Sequence, residues 1–183
     1  MQIFVHKQKI KLLVKFAEDK EAAVRAKAAQ LMGLHENEVT TEALIKLLKD
    51  QDVRVRRKSL EALLRSNQEV ALDQLIPSLV SDDRFEAWAA RRVLEAQPLD
   101  NWGNDAMASD NHRLFVQGAV ALLVAHPNKQ NALAVIARLN ALMQGYVNDR
   151  DFADMLRVAQ LALHRGELKP DEVSKLYDQL AQE

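Results

Sequence analysis

The sequence predicts an all-α protein, an α-solenoid of about 10–11 antiparallel helices wound into a right-handed superhelix. Three observations support this fold. Apolar residues recur in one register at a spacing of about 31 residues, and the three sets are Leu13, Val14, Ala17; Leu44, Ile45, Leu48; and Leu75, Ile76, Leu79. Within each set the apolar positions follow helical spacing, and no alternating strand pattern competes with them. Only 5 Gly and 4 Pro occur in 183 residues, which suits long helices because both residue types interrupt them.

Each repeat is predicted to be a pair of helices, and three pairs fill the first hundred residues. The predicted helices are 4–18 with 21–34, a pair opening at Thr40 and Asp52, and 69–80 with 82–96. Thr40 and Asp52 are favourable N-cap residues because their side-chain oxygens accept hydrogen bonds from the first helical turn. Pro77 lies inside the first helix of the third pair, where we expect it to kink the helix or end it early.

The repeat becomes irregular in the second half of the chain. A fourth pair is degenerate, with a short helix within 99–108 and a second helix over 113–125 capped by Ser109-Asp110. Trp102 is interpreted as a filler for this short repeat.

Three further helices are predicted after residue 128. Two longer helices stop near Gly145 and Gly166, and an apolar pattern predicts a last helix over 173–182. We therefore predict one domain, with about four repeats over 1–127 and a divergent helical hairpin with a capping helix over 128–183.

The composition argues against several classes of function. A net charge of −1 with 28% charged residues lacks the basic excess of most duplex-binding proteins, so nucleic acid is not the expected partner. Cysteine is absent, which excludes disulfides and thiolate metal sites but leaves the compartment open. No run approaches 18 apolar residues, so no membrane span is predicted, and the start shows no signal-peptide pattern.

Motifs of enzymes and cofactor sites are absent from the sequence. The five glycines are scattered and form no phosphate-binding loop, and no serine lies in a nucleophile elbow. The five histidines are dispersed, and His112 near Asp110 is the closest approach to a metal-binding pair. We therefore predict no catalytic residue, no metal and no cofactor.

The first hundred residues resemble HEAT repeats of the phycobilisome-lyase type. The resemblance rests on the segments Val24–Ala29, Asp52–Arg57 and Leu44–Leu48. In such repeats a turn aspartate and a helix arginine six residues later bond between neighbouring repeats, as a structural ladder. The resemblance implies this role for Asp19 with Arg25 and for Asp50 with Arg56. Val80 and Glu86 replace the pair in the third repeat, so the ladder is expected to end there.

The same resemblance places the second helix of each repeat on the concave side of the solenoid. Equivalent outward positions would then form a candidate partner surface: Lys27, Arg54, Lys58, Arg84, Trp88 and Arg91. An exposed Trp among arginines is typical of an interaction hot spot. In the alternative interpretation, Trp88 covers the junction to the fourth repeat with Arg84 stacked on it. The exposure of Trp88 distinguishes the two.

A narrower resemblance lies in residues 81–102, around Trp88, Pro98 and Trp102. This stretch is similar to HEAT segments of large planctomycete-type proteins, where they separate a sugar-dehydrogenase-like propeller from a c-type haem domain. The resemblance implies an internal spacer or docking module of an extracytoplasmic redox protein. Without it, a cytoplasmic location is the default expectation.

The leading functional prediction is a non-catalytic protein-interaction or scaffold module, whose partner is another protein or neighbouring domains of a parent chain. Two alternatives stay open. One is an enzyme-assisting protein of the bilin-lyase type, which needs a pigment-sized pocket. The other is a HEAT-like nucleic-acid binder, which needs a continuous positive face, although Glu61 and Glu86 interrupt the predicted one.

Overall fold

The chain is all-helical, as predicted. The computed structural model describes residues 2–174 and 178, with the side chains of residues 9–174 and 178. The described residues form no strand; their helices are α1 (Gln2–Phe16), α2 (Ala22–Met32), α3 (Glu38–Leu47), α4 (Val53–Ser66), α5 (Leu72–Leu79), α6 (Arg84–Glu95), α7 (Gly103–Ala108), α8 (His112–Ala125), α9 (Lys129–Leu142) and α10 (Asp149–Gly166). Leu99–Asn101 and Pro170–Val173 form 3₁₀ turns. Apart from Val173, Ser174 and Asp178, the predicted helix over 173–182 lies outside the described residues.

The helices form two compact units, Met1–Gln97 and Pro98–Glu183. The first unit contains the three regular repeats, as the hairpins α1–α2, α3–α4 and α5–α6. Its second helices pack directly on one another, α2 on α4 and α4 on α6, and more extensively than the first helices α1 and α3 pack together. This stacking of hairpins is the arrangement of an α-solenoid, with the second helices as the more closely packed layer.

Small residues allow the second helices to approach closely. The pairs that recur in the sequence are all buried and, except for Leu60, small: Ala28-Ala29, Ser59-Leu60 and Ala89-Ala90. Gly33, at the end of α2, has space for no side chain, because an added Cβ would lie 2.7 Å from the Cα of Ala62 on α4. Leu44 and Leu75 are fully buried at the predicted core positions of the first helices, whereas their equivalent Leu13 is only half-buried.

Two helix starts differ from the prediction. The N-cap of α3 is Asn37, whose side chain accepts a hydrogen bond from the Val39 N–H at 2.9 Å. Thr40 lies inside that helix, buried, and its hydroxyl donates to the Asn37 carbonyl at 2.7 Å. Similarly, α8 is capped by Asn111 rather than by Ser109-Asp110. Asp52 does cap α4, and its carboxylate accepts a hydrogen bond from the Arg54 N–H at 2.8 Å.

Pro77 lies inside α5, and the helix ends two residues later. With eight residues, α5 is shorter than the predicted 69–80. A proline removes one backbone donor and crowds the preceding turn, so a short helix at this position is expected.

The second unit contains α7–α10 and has its own core. Trp102, 1% exposed, and Phe115 are among its large buried side chains, which agrees with the interpretation of Trp102 as a filler. The long helix α10 packs on α9 and α8. Across the described residues, no helix is both long and apolar enough to cross a membrane.

Candidate interaction surface

The outward positions of α2, α4 and α6 define a surface that we call the second-helix face. It consists of Lys27, Arg54, Lys58, Arg84, Trp88 and Arg91, and none of these residues belongs to the buried core. Lys27, Arg54, Arg84 and Trp88 are exposed, while Lys58 and Arg91 are half-buried. The i, i+4, i+7 spacing that predicted one face for each helix therefore places these side chains outside the core.

Trp88 is 51% exposed, far from the value of a core residue. Half of a large aromatic side chain is thus left in contact with solvent on α6. The alternative interpretation had Trp88 covering the junction to the fourth repeat with Arg84 stacked on it. In the structure the Arg84 guanidinium lies over the ring of Phe85, 4.7 Å from its centroid.

Phe85 is a second exposed aromatic residue that the sequence reasoning missed. The repeat places Phe85 at the position of Val24 and of Val55, and Val55 is fully buried, yet Phe85 is 51% exposed. Its ring is flanked by two arginines, Arg84 of α6 and Arg57 of α4, the latter 5.6 Å from the centroid. The spacing of three between Phe85 and Trp88, which brings two side chains to one side of a helix, was the available signal.

Most cations of the second-helix face already have partners. The Arg54 guanidinium is paired with Asp52 at 2.8 Å and Lys58 with Glu61 at 2.6 Å. Arg91 and Arg92 share the carboxylate of Glu95. Lys27 donates a hydrogen bond to the side-chain oxygen of Gln30. Neither Lys27 nor Arg84 forms an ion pair with any of the described carboxylates.

The layer of second helices is nevertheless rich in positive charge. Helices α2, α4 and α6 carry ten Arg and Lys residues but only three Glu and no Asp. The N-cap residues Asp52 and Asp83 add negative charge at two helix starts. The pKa of Asp52 is lowered to about 2, mainly by its hydrogen bond from the Arg54 side chain.

Arg25 and Asp50 join the first and second repeats. Two guanidinium nitrogens of Arg25 donate to the two carboxylate oxygens of Asp50, at 2.6 and 2.8 Å. A third donates to the backbone carbonyl of Asp19, at 2.9 Å, while the Asp19 carboxylate accepts from the Glu21 N–H. The hydrogen bond from Arg25 holds the pKa of Asp50 below its usual value, against the effect of burial.

The ladder reaches the third repeat, although that repeat lacks both the aspartate and the arginine. Arg56 donates to both carboxylate oxygens of Glu86 at 2.7 and 2.8 Å, and to the Asp50 carbonyl at 2.8 Å. Glu86 stands at the arginine position of its own repeat and serves as the acid for the preceding one. The missing aspartate at Val80 is thereby replaced by a carboxylate from α6.

A groove of about 390 Å³ lies on the opposite, first-helix side of this unit. Its walls come from α1 and α3, and its apolar lining includes Val14, Ala17, Val39, Ala43 and Leu47. Charged side chains at its rim are of both signs. The groove contains no residue of the second-helix face.

His112 and Asp110, which are close in the sequence, have different partners in the structure. Its Nδ1 lies 3.7 Å from the carboxylate of Asp151, whereas Asp110 is paired with Arg138 at 2.7 Å. In the part of the chain that the structure describes, no three His, Cys, Asp or Glu side chains are grouped to hold a metal ion.

Stacked hairpins of this kind define the class of α-solenoid repeat proteins. Residues 10–95 match the family of HEAT repeats, so this segment of the chain consists of HEAT repeats. The crystal structure of an engineered protein from the Northeast Structural Genomics Consortium is similar, with a TM-score of 0.49 and 18% identity over 90% of this chain and 83% of that chain. No curated protein matches the sequence. HEAT repeats generally serve as protein-interaction or scaffold modules.

Proposed function

We propose that this chain is a non-catalytic protein-interaction module and that the second-helix face, extended by Phe85 and Arg57, is its binding surface. The observation that carries the proposal is the exposure of Trp88. Exposed Trp and Arg side chains on one rigid surface are the residue types that contribute most to binding energy at protein interfaces. Rigid helices also hold these side chains in place without a large loss of entropy on binding.

Differential capture of partners tests this proposal. The immobilised chain is exposed to extract of its source cells, in parallel with the Trp88→Ala and Tyr146→Ala variants. Tyr146 is a matched control because it is aromatic and 90% exposed but lies in the other unit. We expect proteins that the wild type and Tyr146→Ala retain and that Trp88→Ala loses. If the wild type and both variants retain the same proteins equally well, the second-helix face is not the binding surface.

The narrower resemblance of residues 81–102 supports a further proposal about context, namely that the module lies within a larger extracytoplasmic redox protein. Phe85 and Trp88, the exposed aromatic residues of the face, belong to that stretch. The complete coding sequence provides the test. A propeller or c-type haem domain in the same reading frame is the expected result, and a gene encoding only these 183 residues would contradict it.

A further inference from the structure

Phe85 and its two arginines form a contact between neighbouring repeats on the surface of the first unit. Arg57 comes from α4 and Arg84 from α6, and both guanidinium groups lie within 6 Å of the Phe85 centroid. Cation–π contacts at exposed sites are weak individually. Their effect here is to hold two positive charges over an exposed aromatic ring.

Trp88 enlarges this apolar surface. It lies three residues after Phe85 on α6, so the two rings emerge on the same side of the helix, and each is 51% exposed. Aromatic side chains provide a large contact area with few rotatable bonds. A partner residue that covered them would need to be apolar, with an anionic group close by to meet the arginines.

The charges that remain available on this surface favour a short anionic segment over a nucleic acid. Arg54, Lys58, Arg91 and Arg92 are held by carboxylates of their own helices or caps. Arg84 has no such ion pair among the described residues, and Arg57 has only a long one, 3.9 Å from Glu61. A protein that binds a nucleic-acid backbone through about 6–10 phosphate contacts needs more cations than Arg57, Arg84 and Lys27 provide.

We propose that the patch formed by Arg57, Arg84, Phe85 and Trp88 binds an acidic segment of a partner protein that also carries an aromatic or long aliphatic residue. The apolar residue packs on the two rings, and one or two carboxylates accept hydrogen bonds from Arg84 and Arg57. Arginine is suited to this contact because its planar group donates two parallel hydrogen bonds to a carboxylate. This inference rests on the proposed function, since it names the partner class for the same face.

Selection from a library of random peptides, about 12 residues long and displayed on phage, tests the partner class. The full chain is the target, and the Phe85→Ala/Trp88→Ala variant is used for counter-selection. We expect enriched peptides to carry Asp or Glu within about three residues of an aromatic residue, Leu, Ile or Met. Enriched peptides that are neutral or basic, or no peptides that depend on the face, would overturn the proposal.

Direct binding measurements then test the role of each group. A labelled synthetic copy of the most enriched peptide is titrated by fluorescence anisotropy against the wild type and single variants. Arg84→Ala and Phe85→Ala should each weaken the Kd about tenfold. Lys46→Ala and Val39→Ala remove a cation and an apolar side chain of similar exposure from α3, on the other layer, and should leave the Kd unchanged. Melting curves of all variants verify the fold.

The outcomes separate the inference from the proposed function. If Trp88→Ala abolishes peptide binding but Arg84→Ala does not, the face is a binding surface and the requirement for acidic residues is wrong. Tighter binding of single-stranded oligothymidylate than of any peptide, with the same dependence on Arg84, would assign the patch to nucleic acid and overturn the inference. Binding of the acidic peptide should weaken when NaCl is raised from about 50 to about 300 mM, because salt screens exposed charges.

Discussion

Glu86 holds a carboxylate in the interior of the first unit, 1% exposed, with four hydrogen-bond donors around it. Two come from Arg56, and the hydroxyls of Ser78 and Ser81 donate at 2.8 and 2.7 Å. Burial of this group disfavours its charged form. The hydrogen bonds from Arg56, Ser81 and Ser78 outweigh that effect, so the pKa of Glu86 lies below its ordinary value of 4.5.

Removing Arg56 should leave this buried charge without its counter-ion. We expect Arg56→Ala to lower the free energy of unfolding by about 3 kcal/mol, because an unpaired buried carboxylate keeps its desolvation cost. Arg54→Ala is the control, since Arg54 is on the same helix, exposed and paired only with Asp52, and it should leave stability nearly unchanged. Urea unfolding at neutral pH measures both. Equal effects of the two variants would contradict the role assigned to Glu86.

The carboxylates of Glu86 and Asp50 predict that the stability of the chain depends on pH. Because the pKa values of Glu86 and Asp50 are lower in the folded chain than their ordinary values of 4.5 and 3.8, their stabilisation is fully present above about pH 5. It is lost as the pH falls through the ordinary values towards the folded ones. Glu86→Gln should therefore lose less stability than the wild type between neutral pH and about pH 3.5. If urea unfolding shows that the free energy of unfolding falls equally with pH for the wild type and Glu86→Gln, the prediction is contradicted.

At the scale of the elements, close packing of α2 on α4 depends on residues without bulk. Gly33 has ordinary right-handed backbone angles, so alanine would fit its backbone conformation. The obstacle is steric, because the added Cβ would lie 2.7–2.8 Å from the Cα and Cβ of Ala62. The two helices would have to separate to accept it.

Gly33→Ala is therefore expected to destabilise the chain by roughly 1–3 kcal/mol, as overpacking of a close contact does. Gly145→Ala is the control, because its Cβ would meet only the Leu142 carbonyl, at an ordinary distance of 3.7 Å. Thermal unfolding followed by circular dichroism compares the two variants. A Gly33→Ala chain as stable as the control would show that the helices tolerate a wider spacing.

The elements themselves were largely predictable, and the exceptions have physical reasons. Helical periodicity located α1–α6 because a buried face must repeat every three to four residues. The starts of helices were harder to predict. Asn37 and Thr40 both belong to residue types that are favourable at the N-cap, and only one of them can be the N-cap of α3. The ion pair between Arg56 and Glu86 was not predicted. Glu86 stands at the arginine position of its own repeat, and its carboxylate reaches Arg56 of the previous repeat.

The exposed patch was only half predictable. The repeat alignment identified Trp88 and Arg84 as outward residues, because their helical spacing matches that of Arg54 and Lys58. It also placed Phe85 in line with the buried Val55, which concealed the second aromatic ring. Contacts such as Arg57 over Phe85 join different repeats and depend on how α4 and α6 pack, so they are absent from the pattern of a single helix.

For the whole molecule, the first unit contains a core of its own. Interactions in a solenoid are mostly between neighbouring repeats, so stability is built up repeat by repeat. Gln97 is buried at the end of this unit and forms hydrogen bonds to residues before α5 and within α6. Its side-chain oxygen accepts a hydrogen bond from the Val70 N–H at 2.9 Å, and its amide donates to the carbonyls of Gln68 and Val93. A boundary just after Gln97 therefore cuts few packing contacts within the three repeats.

A fragment ending at Pro98 should accordingly fold by itself, with a single cooperative transition in urea, because it keeps all three HEAT hairpins and the hydrogen bonds of Gln97. A fragment ending at Leu79 is the control. It lacks α6, so α4 loses a helix that packs on it and Arg56 loses Glu86, and we expect a broad, non-cooperative transition. Circular dichroism and urea titrations of both fragments measure the difference. A longer fragment that unfolds as gradually as the shorter one would mean that the repeats need the second unit to fold.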